Sequence, residues 1–210
     1  VITWRWLGHR RHGAVWAEQE RARDRVLAGG GGELLLCTHP AVVTLGRSAD
    51  RGNVLAPPAE LAARGIEVVQ TDRGGDVTLH DEGQLMVYPI VRVRTLVGLL
   101  ETVAAALGEL AAAHGVPGAT FQRDPAGLWL GGAKLAACGI HLRRGVAAHG
   151  WAFNVATAPA RWALIRPCGL ATPVVSLQQA RAARGLDAAT TPAPSTLARE
   201  LGPALAARLG

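Results

Sequence analysis

Gly127-Leu128-Trp129-Leu130-Gly131 and Ala133-Lys134-Leu135-Ala136-Ala137-Cys138-Gly139-Ile140-His141-Leu142, followed by Val146-Ala147-Ala148-His149-Gly150-Trp151-Ala152-Phe153-Asn154-Val155, decide the fold. Each of the three stretches reads as a strand, and no helix separates them. Consecutive strands of this kind argue for antiparallel neighbours rather than βαβ crossovers. Working outward, further strands are predicted over 1–7, 33–36, 42–45, 66–70, 77–80 and 85–93. Helices are predicted over 13–28, 57–64 and 95–114, and again from Pro194, with an interruption at Gly202-Pro203. Ser176-Leu177-Gln178-Gln179 fits a capping box opening a short helix. The glycines at 29–32 precede a strand, not a helix, so they read as a connector and not as a phosphate loop. The expected fold is α/β of the α+β type, a mixed, largely antiparallel sheet flanked by helices, in one domain over residues 1–210.

Composition narrows the function classes. The chain has 210 residues and a formal net charge of +6, with arginines scattered along it. Such a balance suits an acidic partner, because complementary charge steers encounter. Basic stretches interleaved with aromatics, zinc-finger spacing and a helix-turn-helix pattern are all missing, so no nucleic acid is expected. No apolar run reads as a membrane span and no signal-peptide layout precedes the first strand, so no membrane is expected. The three cysteines, Cys37, Cys138 and Cys168, are odd in number and fit no metal spacing. A reduced, cytoplasmic protein without metal is the expectation.

Lys134 is the only lysine among 22 lysines and arginines. An arginine stays protonated, whereas a lysine amine can lose its proton when desolvated. The neighbours of Lys134 are small, apolar and glycine-punctuated. Arg166-Pro167-Cys168-Gly169-Leu170 is the second informative site, since proline and glycine present the thiol on a tight bend. A thiol needs its pKa lowered from about 8.5 to be a strong nucleophile near neutrality, and a nearby ammonium lowers it. Lys134 and Cys168 therefore pair naturally if the fold joins them. The residues alone also allow a chance surface lysine, a buried structural cysteine, or a Cys168 partnered by His80 or His149. Asp81 and Glu82 read as a solvated turn. Three glycine-marked clusters, at 73–84, at 131–140 and at 149–154, favour a shared channel for an extended ligand.

In this order the clusters resemble the octanoyltransferase family, also called lipoyl(octanoyl) transferase or lipoate-protein ligase B. The resemblance runs from His39-Pro40-Ala41-Val42-Val43-Thr44-Leu45-Gly46 to Pro167-Cys168-Gly169-Leu170, taking in Arg73 to His80, Lys134 to Gly139 and His149 to Asn154. It implies the fold of biotin and lipoate protein ligases, with a mixed sheet around an acyl groove. It implies transfer of an octanoyl group from octanoyl-acyl carrier protein to a lysine of lipoyl domains, without ATP, cofactor or metal. The implied acceptors are the lipoyl domains of 2-oxoacid dehydrogenase complexes and the glycine cleavage H protein, and a monomer is expected. The family's nucleophile falls on Cys168 and its pKa-lowering lysine on Lys134. Its substrate-binding residues fall on Arg73, Gly74, Gly75, Asp76, Val77, Thr78, Leu79 and His80, on Ala137, Cys138 and Gly139, and on Gly150, Trp151 and Ala152. One departure is Leu79-His80-Asp81-Glu82-Gly83-Gln84, where the family commonly carries Tyr-His-Gly-Pro-Gly-Gln. That pattern leans towards ATP-dependent lipoate ligases of the same fold. Such a ligase, a cysteine hydrolase and a non-catalytic binding module are the competing expectations.

Overall fold

A computed structural model of the chain describes residues 1–166 and 173–210. The first half contains β1 (Ile2–His9), α1 (His12–Leu27), β2 (Gly32–Thr38), β3 (Val42–Leu45), α2 (Pro58–Ala63), β4 (Glu67–Gln70), β5 (Val77–His80) and β6 (Gln84–Ile90). There follow α3 (Leu96–Ala113), β7 (Thr120–Arg123), β8 (Ala126–Leu130), β9 (Ala133–Arg143), β10 (Val146–Asn154), α4 (Pro159–Trp162), α5 (Leu177–Ala182) and α6 (Pro194–Leu209).

Seven strands form one mixed sheet in the order β1-β2-β6-β10-β9-β8-β7. Only β1 and β2 run parallel; every other neighbouring pair is antiparallel. A second sheet, β4-β3-β5, carries the Arg-Gly-Gly segment at the start of β5. Alternation along each strand sorts side chains between two cores. Leu34, Leu36, Leu85, Val87, Trp151 and Phe153 face α3 and α6. Leu35, Cys37, Met86, Tyr88, Val146 and Ala152 face α1. A third core, with Val43, Leu45, Leu61, Leu79 and Ile165, lies under the small sheet.

The capping box is present: Ser176 Oγ accepts from Gln179 N at 3.2 Å, and Gln179 Oε1 accepts from Ser176 N at 2.9 Å. Two expectations need correction. Residues Gly202-Pro203 do not interrupt the last helix, which runs through them. Gly202 is where the Trp4 ring packs, 2.5 Å from where a Cβ would stand, so the glycine serves packing and not chain reversal. Second, α3 is 18 residues long with a mean hydropathy of 1.6, long and apolar enough by composition to cross a membrane. Its apolar face, including Leu99, Val103, Leu107 and Leu110, packs in the first core beside α6. Strand β7 escaped the sequence reading because its mostly exposed residues show no apolar alternation.

Candidate active site

The β9–β10 hairpin supplies the floor of a groove. Gly139 pairs with Gly150, Cys138 with Trp151 and Ala137 with Ala152. The other wall comes from the segment 73–80 and the start of α1. The groove holds about 730 Å³ of open space, its mouth included. Arg73, Gly75, Asp76, Val77, Thr78, His80, Lys134, Ala137, Cys138, Gly139, Gly150, Trp151 and Ala152 line it. Two expected residues do not. Leu79 points into the third core, on the face of β5 opposite His80, and Gly74 lines a neighbouring cleft. The glycines of the floor answer to backbone contact, not to a ligand. A Cβ on Gly139 would lie 2.7 Å from the Gly74 carbonyl, and one on Gly150 would lie 2.0 Å from that of Val87.

Lys134 is buried and lines the groove. Its Nζ stands 4.9 Å from the centre of the Trp129 ring, a cation–π contact. Its stem lies against Gly127, where a Cβ would meet Lys134 Cε at 3.3 Å. Gly127 is paired with Ala137, so the ammonium leans along β9 towards Cys138. The Cys138 thiol is pushed up by burial, and the Lys134 charge only partly offsets that. Cys37 is likewise buried and its thiol raised by burial.

Cys168 lies outside the described residues. The segments around it are fixed on both sides. Arg166 N donates to Asn53 O at 2.7 Å. On the far side the chain returns onto Lys134 itself: Lys134 N donates to Pro173 O at 2.8 Å, and Val175 N donates to Lys134 O at 3.1 Å.

A directed hydrogen-bond chain ties the clusters together. Arg73 Nε donates to Thr44 Oγ1 at 3.0 Å, and the Thr44 hydroxyl donates to His80 Nε2 at 3.4 Å. His80 Nδ1–H donates to Gln84 Oε1 at 3.1 Å, and Gln84 Nε2 donates to Asn154 Oδ1 at 2.9 Å. Asn154 Nδ2 then donates to Lys134 O at 3.3 Å and Val175 O at 3.4 Å. Arg73 also donates to the carbonyls of Thr44, Gly74 and Asp76 at 2.6 to 2.9 Å, so it braces its own loop. Asp76 accepts from Asp50 N and from Asn53 Nδ2, at 2.9 and 2.6 Å.

The groove wall is rich in neutral histidines. Burial, then the proximity of His39, His149 and Arg73, lowers His12 to about 3. Burial lowers His39 to about 4 against a hydrogen bond to Arg10 O, and pushes His80 far below its usual range. His12 and His80 stack with ring centres 6.4 Å apart. His149, at φ +59°, donates from Nε2 to the Asp72 carboxylate, 2.6 Å away, and Asp72 also accepts from His141 Nδ1 at 2.6 Å. Burial lowers His149, and Asp72 works against it.

Asp81 is not a solvated acid. It is buried, accepts from Gly83 N at 2.9 Å and from Thr157 Oγ1 at 3.2 Å, and its carboxyl is raised mainly by burial. Its role is to lock the turn between β5 and β6, whereas Glu82 is exposed on Arg161. The sequence reading missed His12, Met86, Tyr88, Trp162 and Val174, which also line the groove. His12 opens a helix rich in charged residues, and nothing in its neighbours marks it.

Comparisons with known proteins agree with this architecture. Residues 14–190 match the lipoyl protein ligase A/B catalytic domain. The chain is 42% identical over 176 residues to an octanoyltransferase of Chloroflexus aggregans, covering 78% of this chain and 77% of that one. It is 42% identical over 179 residues to an octanoyltransferase of Geobacter metallireducens, covering 81% and 79%. Among solved structures, lipoate-protein ligase A bound with ATP superposes with a TM-score of 0.66 at 14% identity, over 96% of this chain and 93% of that one. Biotin protein ligase from Aquifex aeolicus with biotin and ATP gives a TM-score of 0.56 at 14% identity, over 99% and 70%. The last two show a shared fold. With the likeness to octanoyltransferases over most of the chain added to that fold, the chain belongs to the lipoyl protein ligase A/B catalytic family and is an acyltransferase of its octanoyltransferase branch.

Proposed function

We propose that this enzyme moves an octanoyl group from octanoyl-acyl carrier protein to a lysine of lipoyl domains, through a thioester on Cys168. The observation that carries the reading is the buried Lys134 in the wall of an apolar groove, with the chain that follows Cys168 bonded to its backbone. The ammonium stabilises the Cys168 thiolate. The thiolate attacks the donor carbonyl; the bond to the carrier sulfur breaks, and the carrier leaves as a thiol after taking a proton from Lys134. One thioester replaces another, so the step needs no ATP and no metal. The acceptor amine then attacks the acyl-cysteine, the Cys168 sulfur leaves, and the amine's proton passes to Lys134. Backbone N–H groups around Gly139 or Cys168 serve the tetrahedral oxyanion, as preorganised donors do elsewhere. The acyl chain gains about 0.8 kcal/mol per methylene buried in the groove.

The acceptors in this reading are the lipoyl domains of 2-oxoacid dehydrogenase complexes and the glycine cleavage H protein. A cytoplasmic location, a monomer and a single catalytic domain over residues 1–210 complete the proposal. Intact-mass analysis after mixing with octanoyl-acyl carrier protein alone tests it. One octanoyl adduct is expected, removable by hydroxylamine, prevented by Cys168→Ala and passed to a lipoyl domain after the donor is removed. Transfer that appears only with free octanoate and ATP would sink it in favour of a ligase. Octanoate release at an equal rate with and without acceptor would favour a hydrolase.

A further inference from the structure

A second cleft adjoins the groove. It holds about 1080 Å³ of open space, mouth included, and shares Gly75, Asp76, Cys138 and Gly139 with the acyl groove. Its apolar wall is Leu96, Leu100, Pro125, Ala126 and Ile140. Leu96 is 36% exposed, an apolar side chain left open at the start of α3. Three exposed arginines stand in sequence beside the lining: Arg47 next to Ser48, Arg94 two residues before Leu96, and Arg123 next to Asp124. Of the two acids at the cleft, Asp76 spends both oxygens on Asp50 N and Asn53 Nδ2. Lys134 lines the acyl groove, and its charge acts on Cys138, one of the residues that the two cavities share.

We propose that this cleft receives the carrier arm of the donor: a long, uncharged, amide-bearing thiol ester arm whose outer end carries a phosphate. The proposal rests on the thioester-transfer reading above. That reading requires an acyl chain in one cavity and its leaving thiol in an adjoining one, with the ammonium's charge acting where the two meet. The cleft meets this geometry. Its apolar wall suits the alkyl and amide run of the arm, and the arginines beside its lip suit the phosphate. An acceptor lysine side chain is too short to use such a wall.

The test compares two donors of the same acyl group, octanoyl-phosphopantetheine and octanoyl-N-acetylcysteamine, in the wild type and in Leu96→Glu. A glutamate in the first turn of α3 is compatible with the helix and puts a negative charge on the lip. The expected result is a rise in KM of about tenfold or more for the phosphopantetheine donor, with kcat little changed. The truncated donor should react at the wild-type rate, which also reports intact folding. Arg94→Ser with Arg123→Ser should erase the advantage of octanoyl-phosphopantetheine over its dephosphorylated form. Equal effects on both donors, or none on either, overturns the proposal. So does a rise in KM for the lipoyl domain in place of the donor, which would make the cleft the acceptor's entry. A wild type that takes octanoyl from neither thioester refutes the transfer reading itself, a different outcome from either of these.

Discussion

At the residue scale, Lys134 is confined as well as charged. Gly127 leaves room for a thin alkyl stem, and Trp129 covers the ammonium. A guanidinium is wider and does not give up its proton. Lys134→Arg is expected to keep the fold and lose roughly 10²-fold or more in transfer rate, the scale of a lost general acid–base. Single-turnover kinetics beside a thermal melt check this; near-normal turnover would leave the lysine a charge and nothing more. The cysteines should divide in the same assay. Cys168→Ser should abolish turnover, while Cys37→Ser and Cys138→Ser retain substantial activity, because burial keeps both of those thiols protonated. Equal loss in all three would point to damage to the fold. The singular lysine was legible in the sequence because arginine fills every other basic position. The groove role of His12 was not, because it arises from rings brought together out of separate elements, with His39 5.4 Å and His80 6.4 Å away.

At the scale of elements, the chain from Arg73 to Asn154 crosses both sheets through Thr44, His80 and Gln84. Gln84→Ala would strand His80 Nδ1–H and Asn154 Oδ1 in a buried site. We expect a loss of about 1–3 kcal/mol of stability, the desolvation cost of an unpaired buried group, together with a weaker hold on Lys134 O. Urea unfolding measures the first and acyl transfer the second. Gly202→Ala inverts the usual helix rule. Propensity alone favours alanine by about 1 kcal/mol, yet overpacking against the Trp4 ring costs typically 1–3 kcal/mol, so a lower midpoint is expected. The strands at 127–155 were readable because alternation and turn glycines are local signals. The continuity of α6 through Pro203 was not, since it is decided by a ring 198 residues earlier in the chain. Asp81 also read as solvated, because sequence shows its charge but not the Gly83 and Thr157 donors that meet it.

At the scale of the whole molecule, the buried histidines set the response to acid. His12 and His39 titrate at about 3 and about 4 when folded, against 6.5 unfolded, and His80 titrates far below 6.5. Between those limits the unfolded chain binds more protons, so stability rises with pH and falls on acidification. Each histidine contributes a slope of about 1.4 kcal/mol per pH unit in this window. The melting temperature should drop steeply from pH 6.5 to pH 4, and His12→Gln should remove one proton's worth of that slope. A flat profile would mean these rings are charged in the native protein.

The backbone pairing of Lys134 with Pro173 and Val175 spans about 40 residues of chain. Contacts so distant in sequence close late, after the nearer hairpins have formed. On the proposed chemistry, a nascent or partly unfolded chain therefore carries three ordinary thiols, none set to capture an acyl group or an oxidant. Reactivity is switched on when this pairing closes, so a failed folding event leaves an inert polypeptide and not a rogue acylating agent.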